Sequence, residues 1–357
     1  MRRPIQLLVF TLLAALSLTG CESLSYYRQA AGGHLSLMMS GESVEELLEH
    51  PDTDPKLRQQ LTTANQARRF ARERLALPVG DSYTDYVELD RPWVLVNLIS
   101  APEFSLEARE WCYPFVGCQT YRGYFNVDMA RSKARELKAE GYDIFIGGVT
   151  AYSTLGWFDD PLHSGFTRLD EDRMVALIFH ELAHRVLYVD GDTAFNESFA
   201  TAVELEGLRL WTQQTGNSAA FERALARLEH QKQTLKLVKI TTRRLENLYK
   251  QTAKLSKETL RERKGVIFRE LIADYGTLSS NWEQPGPLGE NPEGLNNANL
   301  ALFRQYNEHI PAFRQMLKTN GYDFEAFYED VRALAAQPKD KRDQVLTQQA
   351  RLFSTSN

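Results

Sequence analysis

Two histidines four residues apart, with a glutamate beside the first, are the residues of this chain best suited to chemistry: His180, Glu181 and His184. Residues at this spacing lie about one turn apart on one face of an α-helix, so both imidazole rings can reach one metal ion. Glu181 projects roughly 100° further around the helix, beside the open coordination position. The pattern predicts a zinc site, with Glu181 as the base that takes a proton from a metal-bound water.

The helix that carries this motif is predicted between Asp170 and Tyr188. Asp170 is an N-cap candidate, and acidic residues follow it in the first turn. Apolar residues recur at helical spacing and form one stripe: Met174, Leu177, Ile178, Leu182 and Val186. Histidines on a buried helix are costly unless they are satisfied, which favours metal ligands over histidines with only a structural role.

A catalytic zinc site usually has three protein ligands and one open position, so a third ligand is expected nearby. Residues 190–192 predict a break, and a second helix is expected from about Thr193 to Trp211. Glu197 lies one turn into that helix, where an antiparallel pair would bring it back toward the histidines. Glu204, seven residues further along the same face, is either a competing ligand or a carboxylate that orients one histidine through its other ring nitrogen.

A donor to the oxyanion formed at the attacked carbonyl is also needed. Tyrosine or histidine usually serves, and the candidates are Tyr152, Tyr275 and Tyr306, followed by His163 and His309. The chain has 15 tyrosines, most of which must be packing residues. The pattern therefore does not choose among them.

A substrate-binding segment is predicted just before the metal helix. Residues 142–152 form a β-strand pattern that contains Gly147 and Gly148. As an edge strand it could bind an extended peptide by β-augmentation, although a plain hairpin or a bulge fits equally well. In the loop that follows, at 157–161, Asp159 or Asp160 could bind a substrate amine.

The N-terminus predicts a lipoprotein signal peptide over residues 1–20. Arg2 and Arg3 form a basic start, residues 5–18 are apolar and uncharged, and Leu18-Thr19-Gly20-Cys21 fits a bacterial lipobox. The apolar segment is short for a transmembrane helix. The mature chain is expected to begin at Cys21, held to the membrane by a lipid on that cysteine. Because Glu22 follows it, the resemblance to sorted lipoproteins favours the periplasmic face of the outer membrane.

The motif from His180 to His184, followed by residues 196–200 (Asn-Glu-Ser-Phe-Ala), resembles the gluzincin metallopeptidases, which include thermolysin and the aminopeptidase N type. In those families a second helix supplies a glutamate ligand, often within an Asn-Glu pair. That pairing favours Glu197, which we predict as the third metal ligand beside His180 and His184. The spacing in the large gluzincin families keeps Glu204 as the alternative. The Gly-Ala-Met-Glu-Asn motif of the aminopeptidase N type does not occur in this sequence.

The lipoprotein start, residues 147–160 and residues 192–200 together resemble a bacterial family described as zinc aminopeptidases. The resemblance covers most of the mature chain. It implies a zinc cofactor, peptide substrates and hydrolysis of peptide bonds by removal of N-terminal residues. Two alternatives stay open: a zinc hydrolase of another cell-envelope amide, such as peptidoglycan, and a non-catalytic zinc-binding envelope protein.

Cys112 and Cys118 enclose a turn-prone segment. An oxidising periplasm predicts a small-loop disulfide between them, with two free buried thiols as the alternative. Neither cysteine has metal-ligand spacing relative to the histidines.

Charge excludes one class of partner. The net charge of the chain is −5. Residues 1–20 hold two of the 42 basic residues and no acidic one, so the remainder has 40 basic against 47 acidic residues, or −7. Such an acidic chain has no electrostatic reason to bind nucleic acid. Its 43% apolar content is enough to bury a core, and the oligomeric state stays open.

The remaining patterns predict a helix-rich α+β fold: a gluzincin-like metallopeptidase core with a small β-sheet and a long helical hairpin, in one domain over residues 21–357. The hairpin is expected at 219–278, where apolar residues are spaced by threes, fours and sevens. Further elements are predicted from local patterns: helices at 44–48, 55–77 and 129–140, and strands at 83–89, 93–99 and 119–126.

The C-terminal third is predicted to begin with a long loop at 282–297, which contains three prolines and three glycines. A helix over 299–317, kinked at Pro311, and a second helix over 324–335 should follow. The last twenty residues are polar and are expected to be frayed.

Overall fold

Helices dominate this computed structural model, which describes residues 23–113, 117–151, 159–289, 292–303 and 309–355. The prediction of a helix-rich α+β fold is confirmed. The described part of the first of these helices, α1, covers residues 23–39. The later ones are α2 (Val44–Glu49), α3 (Pro55–Arg74), α4 (Val127–Ala139), α5 (Ser164–Thr167), α6 (Glu171–His184), α7 (Thr193–Thr215), α8 (Ser218–Tyr249), α9 (Lys257–Ser279), α10 (Asn297–Phe303), α11 (Ile310–Thr319), α12 (Phe324–Ala335) and α13 (Lys339–Thr355).

The described strands form three small sheets. In chain order they are β1 (Glu42–Ser43), β2 (Asp85–Val87), β3 (Leu95–Pro102), β4 (Trp111–Tyr113), β5 (Gly117–Gln119), β6 (Arg122–Tyr124), β7 (Tyr142–Val149) and β8 (Leu162–His163). Strand β2 pairs antiparallel with β1 and parallel with β8. Strand β3 lies between β6 and β7, antiparallel to both, and β4 pairs with β5.

Strand β7 is an edge strand among the described residues, as one reading of its sequence predicts. Its pairing with β3 runs unbroken through the glycine pair, with Gly147 opposite Asn97 and Gly148 opposite Val96. The bulge considered from the sequence is therefore wrong. A side chain at Gly148 would overlap the ring of Trp93, which packs there at 3.1 Å, so close packing explains this glycine.

Helix α6 is held between α3 and α7 by aromatic packing. The ring of Phe179 on α6 lies 5.8 Å from Phe70 on α3, which in turn lies 5.4 Å from Trp211 on α7. A Cβ atom at Gly207 would come within 2.9 Å of Phe179 and 2.8 Å of Leu75, so only glycine lets α7 approach this closely. Because α6 and α7 pack against each other along the core, side chains on their polar faces are brought together.

Helices α8 and α9 form the helical hairpin expected at 219–278. Their apolar residues make a separate cluster, which includes Val238, Leu245, Leu260, Phe268 and Leu271. Among the described residues, no helix combines the length and the apolar composition that crossing a bilayer requires.

The single kinked helix predicted over 299–317 is wrong, because α10 ends at Phe303 and α11 begins at Ile310. Pro311 lies in the first turn of α11. Its missing N–H costs nothing there, since the first-turn amides have no partner within the helix.

The prediction of a frayed C-terminus is also wrong, because residues 339–355 form helix α13, which packs against α11. Leu346 is completely buried. Arg342, 7% exposed, donates a 2.6 Å hydrogen bond to Asp192. A buried leucine, a buried ion pair and the contact of the Phe353 ring with Arg314 therefore help to anchor a helix that is mostly polar.

Asp192→Ala should destabilise the fold by about 3 kcal/mol, because it leaves the guanidinium of Arg342 buried without its anion. It also removes the N-cap of α7, where Asp192 accepts a hydrogen bond from the Phe195 N–H. Chemical denaturation measures the change. Asp343→Ala, whose exposed carboxylate pairs with Lys339, is the control and should change stability by less than about 0.5 kcal/mol. An equal effect of the two substitutions would contradict the role of Asp192.

The ion pair between Asp192 and Arg342 also makes the stability of the fold depend on pH. Burial alone raises the pKa of Asp192, but Arg342 and Lys339 outweigh it and hold that pKa below its ordinary value. Because the folded pKa is the lower one, the stabilisation is complete above the unfolded pKa, about 3.9. It is lost as the pH falls through the folded value, so Asp192→Asn should be less sensitive to acid than the unsubstituted chain.

Candidate metal centre

The structure brings the histidines of α6 and Glu197 of α7 together. Nε2 of His180 lies 3.4 Å from Oε2 of Glu197, and Nε2 of His184 lies 3.6 Å from Oε1 of the same carboxylate. One donor atom from each of the three residues lies within 4.8 Å of the other two. Ligands held about 2.0–2.1 Å from a tetrahedral zinc ion are about 3.3 Å apart, so the donor spacing fits this ion.

Glu204 occupies a different position from Glu197. Its Oε2 atom lies 2.9 Å from Nδ1 of His180, the ring nitrogen that points away from Glu197. A carboxylate there fixes the tautomer and the orientation of the ring, and leaves Nε2 free to bind a metal. Of the two roles considered from the sequence, the geometry matches the orienting role. Nδ1 of His184 is buried and has no hydrogen-bond partner among the described residues.

Asn196 sets the connection between the two helices. Its side chain accepts a hydrogen bond from the Val189 N–H and donates one to the Val189 carbonyl, both at 2.8 Å. The buried amide thereby ties the turn after α6 to the first turn of α7, directly beside Glu197. Sequence reasoning used Asn196 only as part of a resemblance and missed this structural role.

Burial and neighbouring charges shift the pKa values of the cluster residues in different directions. Burial is the main cause that raises the pKa of Glu181 to about 7, and the carboxylates of Glu197 and Asp160 raise it further. Burial also lowers the pKa of His184 to about 4. At His180 burial opposes protonation, but hydrogen bonds to Glu197 and Glu204 outweigh it and raise the pKa well above its usual value.

Three tyrosines near the cluster were not among the sequence candidates. Tyr83 is 4% exposed, and burial together with the charge of Glu181 raises its pKa well above the usual value. Burial is the main cause that raises the pKa of Tyr121 and of Tyr188; the charge of Tyr188 adds to it at Tyr121, that of Asp190 at Tyr188, and that of Glu197 at both. Tyr188 could have been found from the sequence, because it follows His180 and His184 at the same spacing of four.

The tyrosines and histidines named from the sequence make other contacts in the structure or fall outside the described residues. Tyr275 lies on α9, and its hydroxyl accepts a hydrogen bond at 3.3 Å from the N–H of Leu288, in the loop that follows this helix. Nδ1 of His163 accepts from the Gly165 N–H at 3.1 Å, and burial lowers the pKa of this ring to about 4. The backbone N–H of His309 donates to Ser198 Oγ, on α7. Tyr152 and Tyr306 fall outside the described residues.

The two aspartates before the metal helix differ in position. Asp159 is half-exposed and pairs at 3.4 Å with Arg185, the residue after His184. Asp160 is buried, and its carboxylate is close enough to Glu181 to raise the pKa of that group. Of the pair, Asp160 is therefore the one beside the candidate base.

Cys112 and Cys118 form a disulfide that joins β4 to β5. Together with Glu110 they make a second group of donors close to one another, but disulfide sulfurs are not thiolates and do not bind zinc as thiolates do. Cys21 lies outside the described residues.

Comparison with curated proteins and with solved structures finds no significant match. A family model described as "Putative aminopeptidase" matches residues 25–346. The matched segment contains α6, α7 and every residue of the histidine and glutamate cluster. Because the match spans most of the sequence, the chain belongs to this aminopeptidase family.

Proposed function

We propose that the protein is a zinc-dependent peptidase, and specifically an aminopeptidase. The observation that carries this proposal is the position of the Glu197 carboxylate between the Nε2 atoms of His180 and His184, with Glu181 beside them. Membership of an aminopeptidase family supports the same reaction. The ligand set is the gluzincin-like one that the motif and the Asn-Glu pair predict.

His180, His184 and Glu197 would hold the zinc ion. When bound there, zinc supplies Lewis-acid activation of a water molecule and of the substrate carbonyl. Glu204 fixes the ring of His180 through Nδ1. Glu181 would accept the proton of the attacking water and pass it to the leaving amine.

Tyr121 and Tyr188 are our candidates for the donor to the oxyanion. Both side chains are exposed and close enough to Glu197 to respond to its charge. A hydroxyl donated from this side would stabilise negative charge on the attacked carbonyl oxygen. Tyr275 is dropped from the candidates because its side chain is 1% exposed, with its hydroxyl against the loop after α9.

The carboxylates around Glu181 favour a substrate with a free amine. Asp160 and Glu204 both lie near enough to Glu181 to raise its pKa. Neither is one of the three grouped donors. Their negative charge would attract the protonated α-amine of a peptide, and we assign Asp160 to that contact. This preference for a free N-terminus makes the enzyme an aminopeptidase.

We also propose that a lipid on Cys21 tethers the protein to the periplasmic face of the outer membrane. The lipobox at residues 18–21 supports this location. The Cys112–Cys118 disulfide agrees with an oxidising compartment.

Peptide profiling tests the proposed reaction. The zinc-loaded protein should release the first residue of unblocked peptides, and a chelator should stop the release until zinc is restored. N-acetylated versions of the same peptides should be cut at least about 10-fold more slowly, because they lack the amine that Asp160 binds. Equal rates on both sets would overturn the aminopeptidase assignment. Cleavage of peptidoglycan cross-links with no cleavage of peptides would favour another envelope amide.

A further inference from the structure

Helix α1 carries a stripe of exposed apolar side chains along one face. Its large members are Leu24 (72% exposed), Tyr27 (44%), Leu35 (58%) and Met39 (76%). With exposed Ala31 they lie within about 120° of the helix circumference. Large apolar side chains exposed along one helix face mark an interaction surface rather than ordinary solvated surface.

The opposite face of α1 fixes its orientation. Tyr26 and Leu37 are buried, and the ring of Tyr26 lies 3.9 Å from the guanidinium of Arg122. Gln29 accepts hydrogen bonds from the N–H groups of Phe125 and Asn126, at 2.9 and 3.2 Å. Since α1 is fastened along its inner side, it cannot rotate to bury the stripe against its own chain.

The charge of α1 suits a lipid surface. Residues 23–40 contain Arg28 and no acidic residue. Arg28 is exposed, and its position in the helix places it between Leu24 and Met39 on the stripe. An arginine there can keep its aliphatic part among apolar groups and extend its charged head to lipid phosphates.

The position of α1 in the chain decides between possible partners. The structure describes α1 from residue 23, two positions after Cys21, and the uncharged apolar segment 5–18 lies just before it in the sequence. Either a lipid on Cys21 or a retained apolar segment would place the start of α1 at a bilayer. We propose that α1 lies flat on the membrane, with the stripe of Leu24, Tyr27, Leu35 and Met39 in the interfacial region. The inference does not depend on the zinc chemistry proposed above.

A nitroxide at Met39 tests this placement. Met39 lies about 23 Å along the helix from Leu24, so it meets lipid only if the whole helix lies on the surface. The full chain carrying Met39→Cys is spin-labelled and placed in vesicles of phosphatidylethanolamine and phosphatidylglycerol. Collisions with oxygen should exceed those with a water-soluble nickel chelate. At Ile240→Cys, an exposed site on α8 (56%), the order should be reversed.

Two further outcomes decide the question. Adding Leu35→Glu to the Met39-labelled chain should return the nitroxide to water, with unchanged circular dichroism because Leu35 is exposed. Equal access of the nickel chelate to the Met39 and Ile240 sites would overturn the proposal. So would dipolar broadening between Met39 labels on two chains, which would show that a second copy covers the stripe. Peptidase activity on soluble peptides, measured in parallel, tests the proposed function separately.

Discussion

Glu181→Gln should lower kcat by about 100- to 10,000-fold, the contribution typical of a general base. The amide has nearly the same shape as the carboxylate but cannot accept a proton from water. Because Glu181 is not among the three donors that converge on one point, zinc content should stay near that of the unsubstituted protein. Peptide turnover and metal analysis on the same preparations measure both quantities.

The matched control for this substitution is Glu171→Gln. Glu171 is exposed in the first turn of the same helix, α6. Its substitution by glutamine removes the same charge without touching the cluster. It should leave kcat within about twofold of the unsubstituted value. Undiminished hydrolysis by Glu181→Gln would rule out the mechanism. Loss of zinc together with activity would instead make Glu181 a ligand.

The second large effect is a loss of zinc affinity, which should be greater for substitution of Glu197 than for substitution of Glu204. Glu197→Ala removes the carboxylate that lies between the Nε2 atoms of His180 and His184. Zinc affinity should fall by more than about 100-fold, because a site with only two ligands is left. Glu204→Ala removes only the partner of His180 Nδ1, and the loss should be about 10- to 100-fold. Competition with a chromophoric chelator measures both affinities.

Glu222→Ala, an exposed carboxylate on α8, controls for the loss of one negative charge and should leave zinc affinity unchanged. If Glu204→Ala proved the more damaging of the two cluster substitutions, Glu204 would be the ligand. The alternative based on the spacing in the large gluzincin families would then be right.

Local patterns were enough to predict the helices that carry the cluster. The apolar stripe with Met174, Ile178 and Leu182 predicts α6, whose three stripe residues are buried in the structure. The break before Asp192 predicts the start of α7. The ends are less well defined, since α6 stops at His184 rather than Tyr188. Helix ends depend on which carbonyls find partners, and a periodic pattern does not contain that information.

The sequence favoured Glu197 over Glu204 as the third ligand but could not exclude Glu204. Both residues lie on one face of α7, and either reaches α6 depending on how far the helices slide along each other. That offset is set by close contacts such as Gly207 against Phe179 and by the bonds of Asn196 to Val189. Tyr83 and Tyr121 were missed for the same reason, because tertiary packing alone brings them near the cluster.

The C-terminal helix shows a different limit. Residues 339–355 are mostly polar, which favours a frayed end on average composition. A buried leucine, Leu346, and an ion pair between Arg342 and the distant Asp192 are among the contacts that hold it in place. Partners separated by 150 positions leave no local sign in the sequence.

X-ray absorption at the zinc edge tests the central claim most directly. The purified protein, loaded with one equivalent of zinc, should show two imidazole nitrogens and carboxylate or water oxygens at about 2.0–2.2 Å, with no sulfur. The imidazole signal should fall by half in His184→Ala. A sulfur shell at about 2.3 Å, or an imidazole signal that His184→Ala leaves unchanged, would contradict the assignment of His180, His184 and Glu197 as the ligands.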